Sequence, residues 1–166
     1  MNIYILRHAI AVQRGEKEYP NDDRPLTKEG IYKMKEAAQG MRKIVRRADI
    51  ILSSPLIRAH DTARITAKAL KYKHQILLRK ELLPEASVAE ILTYLKKFKE
   101  TSRVMIVGHE PLLGNVAAAL LGSTTSIVEL KKGALCCISV PKLPSTAPGT
   151  LLWHLSPRQL RLLASA

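Results

Sequence analysis

Two arginines and two histidines stand where apolar runs of the sequence stop. Arg7 and His8 follow Ile3-Tyr4-Ile5-Leu6, Arg58 follows Ile50-Ile51-Leu52 across a short polar step, and His109 follows Val104-Met105-Ile106-Val107. Short runs rich in β-branched and apolar residues read as buried strands. The C-terminal ends of strands are where open α/β sheets place their ligands. Guanidiniums and imidazoles gathered there, with no cluster of carboxylates or thiolates, make a poor metal site, because arginine repels a cation. They make a good pocket for a phosphoryl group, since arginine presents paired donors that match phosphate oxygens.

The intervening elements must bring these residues together. Thr27 fits an N-cap, and Ile31, Met34, Ala38, Met41 and Val45 recur at threes and fours, which predicts an amphipathic helix over 28–47 weakened by Gly30 and Gly40. Residues 49–53 read as a second strand. Ser54 as N-cap and Pro55 as first helical residue then place Arg58 in the first turn of a helix, where backbone N–H groups and the helix dipole also favour an anion. Residues 76–78 are a short strand candidate. A helix is expected over 87–99, burying Ala89, Leu92 and Leu95 with Ile91 and Phe98 beside them. Residues 104–107 form a third apolar strand, followed by a helix carrying Val116 to Leu121. Strands alternating with helices argue α/β: a three-layer sandwich with a mostly parallel central sheet and helices on both faces. The last third reads as β-rich, with strands over 127–130, 134–140 and 151–155 and turns at Lys131-Lys132-Gly133 and over 141–149. It is expected to close the same sheet, so residues 1–166 are expected to form a single domain. The polar stretch 13–24, with Gly15, Pro20 and Asn21, is expected to be an exposed loop.

Composition narrows the possibilities. A length of 166 residues with 46% hydrophobic residues suits one soluble globular domain. There is no signal peptide pattern and no run approaching the roughly 20 apolar residues that span a bilayer. Cys136 and Cys137 are adjacent and, in a strand, would point to opposite faces, so they are poorly placed to bridge each other. A reducing cytoplasm is the expected setting. With 27 Lys and Arg against 14 Asp and Glu the chain carries a formal charge of +13, which draws anionic partners. Nucleic acid is disfavoured, because aromatic residues make up only 4% and stacking platforms are scarce.

Leu6-Arg7-His8-Ala9, Ser53-Ser54-Pro55-Leu56-Ile57-Arg58-Ala59 and Val107-Gly108-His109-Glu110-Pro111, in this order, resemble the histidine phosphatase superfamily. Their spacing, with Arg24-Pro25-Leu26-Thr27 and the 153–157 stretch, resembles its small SixA-type branch of phosphohistidine phosphatases. The resemblance implies that His8 is the nucleophile and that Arg7, Arg58 and His109 hold the phosphoryl oxygens. A neutral imidazole has a free lone pair at neutral pH, and phosphoryl transfer needs mainly positioning and electrostatic stabilisation, which arginines supply. His109 would serve best when protonated. The family usually has glycine where Ala9 stands, which implies a slightly tighter pocket. Glu85 lies where larger relatives carry an acid, and reads either as a general acid or as a surface loop carboxylate. Arg24 reads either as a substrate-binding residue or as a solvated loop arginine.

The resemblance implies a cofactor-free, metal-independent phosphatase that releases inorganic phosphate. Its substrate would be a phosphorylated protein, such as a histidine-containing phosphotransfer domain, because the connections leave no room for an insertion over the pocket. Phosphorylated small metabolites are the alternative substrate, and a basic module that binds phosphate or polyphosphate without turnover is the alternative from another class. His60-Asp61 resembles a metal-dependent phosphohydrolase pair, but the companion ligand motifs are missing, so a helix-surface pair is expected. His74 and His154 read as ordinary polar positions, and the cysteines as packing residues.

Overall fold

The computed structural model describes residues 1–20, 22–143 and 147–165. Three strands end at the pocket: β1 (Asn2–Arg7), β2 (Ile50–Ser53) and β4 (Arg103–Gly108). With β3 (Leu77–Leu78), β5 (Leu135–Ser139) and β6 (Thr150–Leu155) they form one sheet in the order β3-β2-β4-β1-β5-β6. The first four strands in that order run parallel, and β5 and β6 are antiparallel additions beside β1. The α/β sandwich with a mostly parallel sheet is therefore as expected.

The central strands are apolar because both of their faces are covered. One face, carrying Ile3, Ile5, Val104, Ile106, Cys136 and Ile138, packs on α3 (Val88–Leu95) and α4 (Leu112–Leu120). The other, carrying Tyr4, Leu6, Met105, Val107, Leu135 and Cys137, packs on α1 (Lys28–Ile44), α2 (Ile57–Ala69) and α5 (Pro157–Ser165). Each Ile or Leu fully buried in this way contributes about 1.5–3 kcal/mol. Cys136 and Cys137 lie on opposite faces, and burial pushes their thiols up to about 12 and about 11, which makes them packing residues.

Thr27 caps α1 as expected, its hydroxyl accepting from the Gly30 amide at 2.9 Å. The helix stops at Ile44, short of the expected 47. Val45 continues the buried periodicity, but its backbone is already extended towards β2. The two glycines of α1 are close-approach positions. A Cβ at Gly30 would lie 2.0 Å from the Ile10 carbonyl oxygen, and one at Gly40 would lie 1.8 Å from that of Leu160 in α5.

Several expectations need correction. In α3 the buried residues are Ile91 and Leu95, while Leu92 is half-buried and Ala89 is exposed, and the helix ends before Lys96. Residues 127–130 form no strand. Val128 and Leu130 are buried and Ile127 and Glu129 exposed, which reproduces strand alternation, but β5 already pairs with β1 on one side and β6 on the other. Helix α5 was not expected. Its start is a reciprocal cap, with the Gln159 amide donating to Ser156 Oγ and the Ser156 amide donating to Gln159 Oε1. Of the expected loop at 13–24 and turn at 141–149, Asn21 and residues 144–146 lie outside the described residues.

Candidate active site

Backbone hydrogen bonds set the three strand ends side by side. The His8 amide donates to the Gly108 carbonyl at 3.0 Å, and the Ser54 amide to the Val107 carbonyl at 2.9 Å. The Gly133 amide bonds the carbonyls of Arg7 and His8, which ties the 131–133 turn to the same spot. The Ala9 amide donates to Thr62 Oγ1, and that hydroxyl donates to the Arg58 carbonyl at 2.6 Å, which fixes α2 against the end of β1. These bonds cluster His8, Arg58 and His109, all buried although polar.

Arg58 lies in the first turn of α2, but the helix begins later than expected. Its N-cap is Leu56, not Ser54, and Ile57 is its first residue. The Ser54 hydroxyl faces His109 Nε2 at 2.9 Å and accepts from the Leu56 amide at 3.3 Å. In the sequence Ser54 reads as a helix cap within the second motif; its partner, His109, lies just past the end of β4, 55 positions along the chain.

The His8 tautomer follows from its partner. His8 Nδ1 lies 2.7 Å from the Ala9 carbonyl oxygen, which can only accept, so Nδ1 carries the proton and Nε2 keeps its lone pair. Burial lowers the His8 pKa to about 3; the Ala9 bond opposes this, and Arg58, Arg7 and Lys132 reinforce it. The His109 ring centroid is 5.0 Å from that of His8. Burial, His8 and Arg58 lower its pKa to about 3 as well, so the expectation of a protonated His109 is not supported here. A pair of neutral imidazoles beside arginine needs no proton removed before one of them attacks.

The most consequential residue missed from the sequence is Asp22. Arg58 NH1 donates to its carbonyl oxygen at 2.8 Å and NH2 to Oδ2 at 2.9 Å. Arg24 Nε donates to Oδ1 at 2.6 Å, and the exposed Arg14 lies 3.6 Å from Oδ2. Burial alone would raise the Asp22 pKa, but the bonds and charges of Arg24 and Arg58 outweigh it and hold the carboxyl below its ordinary value. Arg24 also donates to the Val12 carbonyl at 2.7 Å, so it is not a freely solvated loop arginine. Three guanidiniums thus converge on one carboxylate, in the arrangement a phosphoryl group would require. Nothing in the local sequence signals this, because Asp22 and Arg58 are 36 positions apart.

Arg7 donates from NH1 to the Leu130 carbonyl at 2.8 Å, while its Nε is buried without a partner. Glu85 is exposed on the loop before α3, and no bond among the described residues ties it to His8, Arg58 or His109. Glu110, next to His109, is a different kind of carboxylate: burial raises its pKa, and Arg7 and the Gly114 amide partly offset that. On the α2 surface, Asp61 pairs with Arg64 at 3.5 Å, which fits the expected surface pair. Among the described residues no group of three or more His, Cys, Asp or Glu is arranged to hold a metal ion. None of their helices is long and apolar enough to cross a membrane.

Comparison with known proteins extends this picture. The model of the histidine phosphatase superfamily, branch 1, matches residues 3–83. An uncharacterised protein of Picosynechococcus is 35% identical over 139 residues, covering 81% of this chain and 82% of its own. The phosphohistidine phosphatase SixA homolog of Haemophilus influenzae is 30% identical over 142 residues, covering 76% of this chain and 81% of its own. Among solved structures, that of the protein histidine phosphatase SixA complexed with tungstate superposes with a TM-score of 0.84 at 24% identity, over 96% of this chain and 99% of the other.

Proposed function

The chain belongs to the histidine phosphatase superfamily, in its SixA-type branch, and is a phosphatase that works through a histidine; we propose that this histidine is His8 and that the substrate is phosphohistidine on a protein. The observation that carries the assignment is the His8 ring itself. Its Nδ1–H is committed to the Ala9 carbonyl, so Nε2 keeps its lone pair, on a ring packed against His109 and in the field of Arg58.

The step is an in-line displacement. His8 Nε2 attacks phosphorus, the bond from phosphorus to the leaving nitrogen breaks, and that nitrogen takes a proton from solvent as the substrate histidine departs. Water then attacks the phosphorus bonded to His8, the P–N bond to Nε2 breaks, the water gives up a proton to solvent, and inorganic phosphate leaves with the water's oxygen. Arg7 and Arg58 balance charge on the transferring oxygens, and His109 donates a hydrogen bond to them. Arg24 helps to hold the substrate through its place beside Arg58. To reach Arg58, the phosphoryl group exchanges with the Asp22 carboxylate.

The surroundings favour a leaving group that needs little help. Glu85, the candidate general acid, is exposed and unattached to the cluster, which fits its alternative reading as a surface loop carboxylate. An imidazole leaving group is readily protonated, whereas an alkoxide requires a strong acid. This supports phosphohistidine over the phosphate esters of small metabolites. The reading treats residues 1–166 as one domain, supported by the single sheet, and places it in the cytoplasm. It is tested by measuring phosphate release from a phosphohistidine protein, a phosphoserine peptide and sugar phosphates. Turnover is expected chiefly on the first; preference for a sugar phosphate would overturn the substrate assignment.

A further inference from the structure

We propose that Ser54 is a positioning residue that fixes His109 as its Nδ1–H tautomer, so that His109 meets the transferring oxygens as a neutral donor. The inference rests on the reading above, in which His109 contacts the phosphoryl group.

The donors and acceptors around Ser54 pair in only one way. The Ser54 side chain has one proton and two lone pairs. It is fully buried. One lone pair accepts from the Leu56 amide at 3.3 Å. The remaining neighbour is His109 Nε2 at 2.9 Å. If Nε2 carried a hydrogen, Ser54 would accept twice and its own hydroxyl proton would be buried without a partner. If Nε2 is unprotonated, the Ser54 hydroxyl donates to it and every group on that side is satisfied. A buried polar hydrogen left unpaired is costly, so the second arrangement prevails.

The opposite side of the ring agrees. His109 Nδ1 is buried and has no protein partner. It is therefore the one ring position left to bond something else, in a cluster that holds His8 and Arg58. With its proton placed on Nδ1, the imidazole offers a donor there. The two histidines are thus set by parallel devices of opposite effect. A carbonyl acceptor on His8 Nδ1 frees a lone pair at Nε2. A hydroxyl donor on His109 Nε2 supplies a proton at Nδ1. Neither ring needs to gain or lose a proton before the nucleophile attacks.

The test is nitrogen NMR of histidine-labelled protein, in which protonated and unprotonated ring nitrogens have distinct shifts, combined with steady-state kinetics. In the wild type, His109 should show a protonated Nδ1 and an unprotonated Nε2. Ser54→Ala should mix the two tautomers and lower kcat about tenfold, the value of one neutral hydrogen bond, with KM little changed. Ser54→Thr keeps the hydroxyl and should restore both signature and rate. A protonated Nε2 in the wild type would overturn the proposal, whether or not Ser54→Ala folds. So would a slower Ser54→Ala whose tautomer is unchanged. Loss of the wild-type turnover premise would be a different result: His8→Ala with normal activity would refute the mechanism while the spectrum still reported on Ser54.

Discussion

Replacing Asp22 by asparagine should make the enzyme bind its product more tightly. The carboxylate accepts from Arg58 at 2.9 Å and from Arg24 at 2.6 Å, and Arg58 is 2% exposed, so the pair is only weakly screened by solvent. Phosphate reaching Arg58 has to displace this carboxylate. A hydrogen bond to a charged acceptor contributes about 1.5–3 kcal/mol and a neutral one about 1 kcal/mol. Asparagine keeps the shape and one acceptor but removes the charge, so the cost of displacement falls by about 1–2 kcal/mol, which is roughly five- to thirtyfold in an equilibrium constant. The assay is competitive inhibition by inorganic phosphate, compared between wild type and Asp22→Asn at one ionic strength. The inhibition constant should fall by that factor. A weaker inhibition in Asp22→Asn would refute the reasoning, because it would mean that Asp22 serves to hold Arg58 in place for the anion and does not compete with it.

Three further outcomes follow. Glu85→Gln should leave kcat within about twofold of wild type, since an exposed carboxylate supplying a proton would be worth 10²–10⁴-fold; a hundredfold loss would restore it as the general acid. Gly40→Ala should destabilise the fold by about 1–3 kcal/mol in denaturant titrations despite alanine's better helix propensity, because its Cβ would collide with the Leu160 carbonyl of α5; a stabilised variant would contradict the close approach. Stability should fall as pH drops from about 6.5, where unfolded histidine begins to bind protons that buried His8 and His109 refuse down to about 3. His8→Asn with His109→Asn should flatten that slope, and an unchanged slope would show that these rings are not its source.

The sequence made the pocket legible because its parts obey local rules. Apolar runs of β period end at Arg7, Ser53 and Gly108, and strand ends are where such sheets bind. Thr27 marked the start of α1 for the same local reason. What stayed hidden depends on distant partners. Ser54 looks like a helix cap until His109 is beside it, 55 positions away. Asp22 looks like one of several loop carboxylates until Arg58 faces it. The 127–130 segment has the burial alternation of a strand, but β5, the next strand in the chain, already has a neighbour on each side, and the Leu130 carbonyl instead accepts from Arg7. Helix α5 has a local signal, Ser156 followed by Pro157 and Gln159, but it sits at the end of a stretch that reads as β.

Passage of the phosphoryl group through His8 can be observed by trapping it there. Wild-type protein mixed briefly with phosphorus-labelled phosphohistidine substrate and quenched under alkaline conditions should carry label that maps to His8, in a bond that is lost on acid treatment. His8→Ala should fold, bind phosphate and carry no label, with hydrolysis abolished. Label on another residue, or near-normal turnover by His8→Ala, would contradict the account.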